Sequence, residues 1–106
     1  MIEIERRVTM TVKDYMNDHK EDIDLFTSAL TKAHADAHPE VKAVRELYVK
    51  IQYKIDVDIK DIDHEFETLK RITNNYEIPD DVCGTYEKTY QLLKEANRLY
   101  NEGRAV

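Results

Sequence analysis

Apolar residues recur along this chain at helical spacing, in three runs. Val12, Met16, His19, Ile23, Phe26, Leu30, Ala33 and Ala37 follow one another in alternating steps of four and three, with His19 the one polar member. Such an unbroken heptad seam predicts a helix over about 12–36 packed on a neighbour. Thr11 and Asp14 stand before it as a capping box, a hydroxyl with a carboxylate three residues on. The seam narrows to alanine at its C-terminal end, where the neighbouring helix should approach closely.

The second run is Val41, Val44, Tyr48, Ile51, Ile55, Ile59, Ile62, Phe66, Leu69, Ile72 and Tyr76, with Pro39 at its front and no Gly or Pro inside. It predicts one continuous helix over about 39–76, a rod of roughly 57 Å. The consecutive steps of four through Ile51, Ile55 and Ile59 form a stutter, which turns the stripe from one neighbour towards another. Asn74-Asn75 and Ile78-Pro79 end the rod. A third helix, about 81–102, starts from Asp80 or Asp81. Its inner face is Val82, Tyr86, Leu93, Ala96 and Tyr100, widened by Tyr90, Leu92 and Leu99, and Gly103 suits its C-terminal cap.

Residues 1–10 alternate instead, with Ile2, Ile4, Val8 and Met10 separated by charged or polar residues. They read as an extended N-terminal arm ahead of a single helical-bundle domain at 11–106. The expected fold is therefore all-α: three helices in up-down-up order around a long central helix. Antiparallel hairpins at both of its ends would let all three helices overlap only near 55–65. The remaining flanks would leave apolar surface in water, so a second copy, a homodimer, is expected to complete the layers. The competing arrangement breaks the second helix at the stutter, in KIDVDIK, and closes a compact four-helix bundle. That segment holds no usual turn residue except Asp, and the continuous rod is preferred.

Composition sharpens this picture. Two Gly and two Pro in 106 residues leave little material for turns, as a chain of few long helices requires. A net charge of −6 argues against direct binding of nucleic acid or an anionic membrane surface. No stretch approaches the about 20 apolar residues of a membrane span, and the charged start MIEIERRVTM is unlike a signal peptide. The single Cys83 fits a reducing compartment, so a cytoplasmic protein is expected.

No nucleophile, phosphate-binding or cofactor motif is present, and no enzyme is expected. A non-enzymatic interaction module is: an adaptor, an assembly factor, or a small acidic inhibitor of another macromolecule, of a size and charge compatible with phage or mobile-element accessory proteins. Its partner surface is expected at Tyr48, Tyr76, Tyr86 and Tyr90 along the under-covered flanks, because seven Tyr against two Phe favour half-exposed interfaces. The acids Asp14, Asp18 and Asp22, with Asp61 and Glu65, gather at one end of the first hairpin and would suit a partner with a basic surface. A sharper version makes them an acidic decoy that mimics a nucleic-acid backbone.

The alternative chemistry is a metal-binding bundle. His19 should face Asp56 and Asp58, and His19, Asp58 and His64 are the candidate ligands. The segment DHKEDIDLF resembles the start of hemerythrin-like domains, although the family's His-x-x-x-Glu and its later inner-face His-x-x-x-His are missing. His34 and His38, four apart, form a possible zinc pair without a third ligand.

Overall fold

Thr11 opens the first helix as expected: its hydroxyl accepts the Asp14 N–H at 3.1 Å, capping α1 (Val12–Asp18). A computed structural model describes residues 10–104. The expected arm lies outside them except for Met10. At His19 the backbone leaves helical geometry for one residue (φ −106°, ψ 10°) before α2 (Lys20–His34) resumes. His19 still donates to the Tyr15 carbonyl and accepts from Ile23 N–H, so the run is bent rather than severed. The helix expected over 12–36 is therefore two helices in line.

After a turn at 35–39, α3 (Glu40–Asp56) carries Val41, Val44, Tyr48, Ile51 and Ile55 on its buried side. The rod expected over 39–76 does not form. It breaks at 57–62, and α4 (Asp63–Ile72) folds back. The break is a Schellman cap: Asp58 is left-handed (φ 66°), Ile59 N–H reaches the Lys54 carbonyl at 2.8 Å, and Asp58 N–H reaches that of Ile55 at 3.2 Å. Asp tolerates that conformation better than most residues, and Lys60 and Lys13 flank its carboxylate. Ile59, assigned to the stripe, is 42 % exposed as a result.

The same device closes α4. Asn74 is left-handed, Asn75 N–H reaches the Lys70 carbonyl at 2.7 Å, and Asn74 N–H reaches that of Arg71 at 3.2 Å. Asn75 and Tyr76 continue left-handed, held by the Tyr76 N–H bond to the Thr73 hydroxyl. Residues 77–83 then lead to α5 (Gly84–Arg104).

Cross-helix bonds give the directions. Arg45 meets Asp24, Tyr48 meets the Lys20 carbonyl and Gln52 meets Asn17, so α3 runs against α2. Phe66 stacks on Tyr100 and Tyr76 meets Asn97, so α5 runs against α4. Tyr15 OH reaches the Leu92 carbonyl and Cys83 meets His34, so α5 also runs against α1 and α2. The result is a closed four-layer bundle, with α1 and α2 as one layer. Met16, Ile23, Ile51, Leu69, Leu93 and Ala96 are fully buried at its centre.

The class is all-α, as the periodicity indicates, and no described helix is long and apolar enough to cross a membrane. The three-helix rod is replaced by the four-layer ring, which removes the bare flanks on which the dimer argument rested. Ala33 and Ala37 lie exposed, and Thr27 takes the buried place beside half-buried Phe26. A strict heptad drifts around a straight helix, so the seam's last members leave the core.

Candidate functional site

The four tyrosines expected on an open flank lie inside the bundle. Tyr48 is buried with its hydroxyl on the Lys20 carbonyl (3.1 Å), and burial pushes its phenol up to about 12. Tyr76 is buried with its oxygen accepting from Asn97 Nδ2 at 2.8 Å. Tyr86 and Tyr90 share a hydroxyl–hydroxyl bond of 3.1 Å, and Tyr86 also donates to Glu40 at 3.0 Å. Burial, then the neighbouring Tyr90 and Glu40, hold the Tyr86 phenol far above its ordinary value. All four are neutral packing groups whose polar tips are used within the chain.

The acids divide. Asp14, Asp18 and Asp22 are exposed on α1 and α2, and Asp61 is exposed in the α3–α4 connection, where it accepts the Asp63 N–H. Glu65 turns inward instead and pairs with Lys54 at 3.0 Å. The metal ligands do not assemble. His19 lies against the Tyr15 ring at 4.4 Å, Asp58 pairs with Lys60, and His64 is exposed. Asp56, expected opposite His19, is taken by Gln52 and Lys20. Among the described residues, no three His, Cys, Asp or Glu side chains are grouped to hold a metal ion.

One polar cluster gathers around His34 and His38, and their partners in it escape sequence reasoning. At the end of the bundle formed by the 35–39 turn and the 77–83 segment, His38 lies between two carboxylates, Nε2 3.1 Å from Asp81 and Nδ1 3.4 Å from Glu40. The His38 hydrogen bond holds the Asp81 carboxyl below the usual carboxylate range. Cys83 Sγ is 3.5 Å from His34 Nε2. The thiol has no histidine near it in sequence, and the fold supplies one across 49 residues. Both histidine rings stand edge-on to Tyr86 at 5.5 Å, so the cluster ties two loops over a buried ring.

The outward side of α3 carries a second feature. Val49, Tyr53 and Val57, at steps of four, are 47 %, 60 % and 48 % exposed. They lie off the buried 48-51-55 stripe, and their spacing is legible in the sequence once that stripe is drawn. Val49 and Tyr53 border a groove of about 550 Å³ between α2 and α3, with Glu21, Gln52 and Asp56 in its walls. Gln52 is 6 % exposed; its Nε2 donates to Asn17 and Asp56, while its buried Oε1 has no donor among the described residues. Leu25 stands 64 % exposed on α2. This face offers apolar contact with a polar rim.

No protein-family model, no curated protein and no solved structure matches this chain.

Proposed function

We propose that this chain is a non-enzymatic interaction module of the cytoplasm, an adaptor, assembly factor or inhibitor, and that its partner docks on the α2/α3 face. The observation that carries the reading is the exposed stripe Val49–Tyr53–Val57 beside the groove, on a bundle that encloses most of its other large apolar side chains. Apolar residues contiguous on a surface and rimmed by polar groups mark association sites, whereas singly scattered ones do not. The tyrosine that serves the partner is Tyr53, not the four in the core.

A photo-crosslinking residue at position 53, with one at the exposed Lys88 of α5 as control, tests this in the native host. The expected result is a protein adduct specific to position 53. The purified partner should bind the wild-type chain and lose at least about tenfold in affinity against Val49→Asp, the worth of roughly 1.4 kcal/mol. A second copy of this chain as the adduct would make the face a homodimer interface. Identical adducts from both positions, or unchanged binding by Val49→Asp, would overturn the proposal.

A further inference from the structure

We infer that the occupant of the α2/α3 groove is a basic amphipathic helix of the partner; this rests on the docking face just proposed. Two features of the face converge on that chemistry.

The first is shape and polarity. A groove between two antiparallel helices with apolar Val49 and Tyr53 on its border suits an apolar helix stripe laid along it.

The second is charge left over. Asp14, Asp18, Glu21 and Asp22 are exposed on α1 and α2, and no cation pairs with them among the described residues. Of the cations beside the groove, Arg45 holds Asp24 at 2.6 Å and Lys20 holds Asp56 at 3.5 Å, while Lys42 and Lys50 of α3 are exposed. Glu21 lies in the groove wall itself. Like carboxylates at steps of three and four cost a helix roughly 0.2–0.5 kcal/mol per pair, and a cationic partner relieves that cost.

An anionic lipid surface or a nucleic acid would meet these acids with like charge.

The test uses the full chain and a synthetic amphipathic helix of about four turns, Leu on one face and Lys on the other. Its Leu/Glu counterpart and a Leu/Lys peptide scrambled to destroy the apolar face serve as controls. The Leu/Lys helix should bind, with amide shifts confined to about 18–25 and 49–57, including the Gln52 side-chain amide. Affinity should fall at least about tenfold between low and physiological ionic strength, because the rim pairs are exposed. Glu21→Lys and Asp22→Lys, both surface changes, should each weaken it severalfold. Equal binding of the Leu/Glu helix or of the scrambled peptide, shifts centred elsewhere, or no binding would overturn the inference. If the peptide fails while position 53 still captures a partner whose binding needs Val49, the docking face stands and the basic helix falls. If both fail, both readings fall.

Discussion

Lys54 of α3 and Glu65 of α4 meet at 3.0 Å across the bend that turns one long helical run into two packed helices. Lys54 also donates to the Asp61 carbonyl, so a single ammonium fastens both the connection and the next helix. Burial draws the Glu65 carboxyl upward. The Lys54 hydrogen bond, the residue's own backbone N–H and the charges of Lys54 and His64 outweigh that, and leave it below the ordinary glutamate value. A carboxyl lowered on folding contributes stability above its unfolded pKa of about 4.3, lost as pH falls through the folded one. Lys54→Met should therefore cost about 1–2 kcal/mol in urea unfolding at neutral pH, and much less in acid once Glu65 is protonated. An equal cost at both pH values would assign the effect to lost packing instead.

The left-handed run Asn74, Asn75 and Tyr76 makes a second prediction. Asn75 is exposed, so its substitution tests backbone conformation with little change in contacts. Ala there should destabilise by about 1 kcal/mol, because a Cβ without a compensating polar tip is disfavoured in that region. Gly should stay within about 0.5 kcal/mol of wild type, its freedom in the unfolded chain offsetting its ease in the turn. Thermal unfolding of the pair decides: equal melting temperatures would mean the turn relaxes to another conformation.

The sequence pattern reached the helical class, the capped start at Thr11, the end of α4 at Asn74-Asn75 and much of the core, including Met16, Ile23 and Leu30. It ranked the break in KIDVDIK, which the structure places at Asp58, below the continuous rod, because Ile55, Ile59 and Ile62 continue a helical stripe in spacing. What decides the matter is tertiary: the Lys54–Glu65 pair and the Ile62 N–H bond to Tyr100 OH at 2.8 Å stabilise the folded-back form. Periodicity reports which face is apolar, not whether the backbone continues. The proposed docking face was half legible. Asp14, Asp18 and Asp22 are exposed as the acidic spacing suggests, but the tyrosines were misassigned. A Tyr on the stripe buries its ring and satisfies its hydroxyl inside, as Tyr86 does on Glu40, and the exposed ring is the off-stripe Tyr53. The contact of Cys83 with His34 depends on loops whose geometry no periodicity encodes.

Asn97 donates to the Tyr76 hydroxyl at 2.8 Å, both side chains buried between α5 and the end of α4. Tyr76→Phe keeps the ring and leaves the Asn97 amide without that acceptor. The expected loss is about 1–2 kcal/mol, the desolvation cost of an unpaired buried donor. Adding Asn97→Leu to Tyr76→Phe should recover part of it, since both polar groups are then gone. A double-variant cycle by urea unfolding measures the coupling; additive losses would show that the bond contributes little.

Alkali should unfold this bundle through its buried phenols. Burial pushes Tyr15 up to about 12, with Glu95 adding to the rise, and pushes Tyr48 to the same value, where Asp24 and Asp56 add and Arg45 opposes. Each donates its hydroxyl to a backbone carbonyl, Leu92 for Tyr15 and Lys20 for Tyr48, and an ionised phenolate would lose that bond. A phenol whose pKa is raised on folding stays neutral in the folded chain while the unfolded chain ionises near 10. Its contribution is complete below pH 10 and is lost as pH climbs to about 12, by up to about 2 kcal/mol for each ring. Tyr15→Phe and Tyr48→Phe each remove one ionisation, so the fall in stability over that window should be shallower in either variant than in wild type. Urea midpoints across the alkaline range, followed by helical circular dichroism, check this. Parallel curves for all three chains would show that other groups drive the alkaline transition.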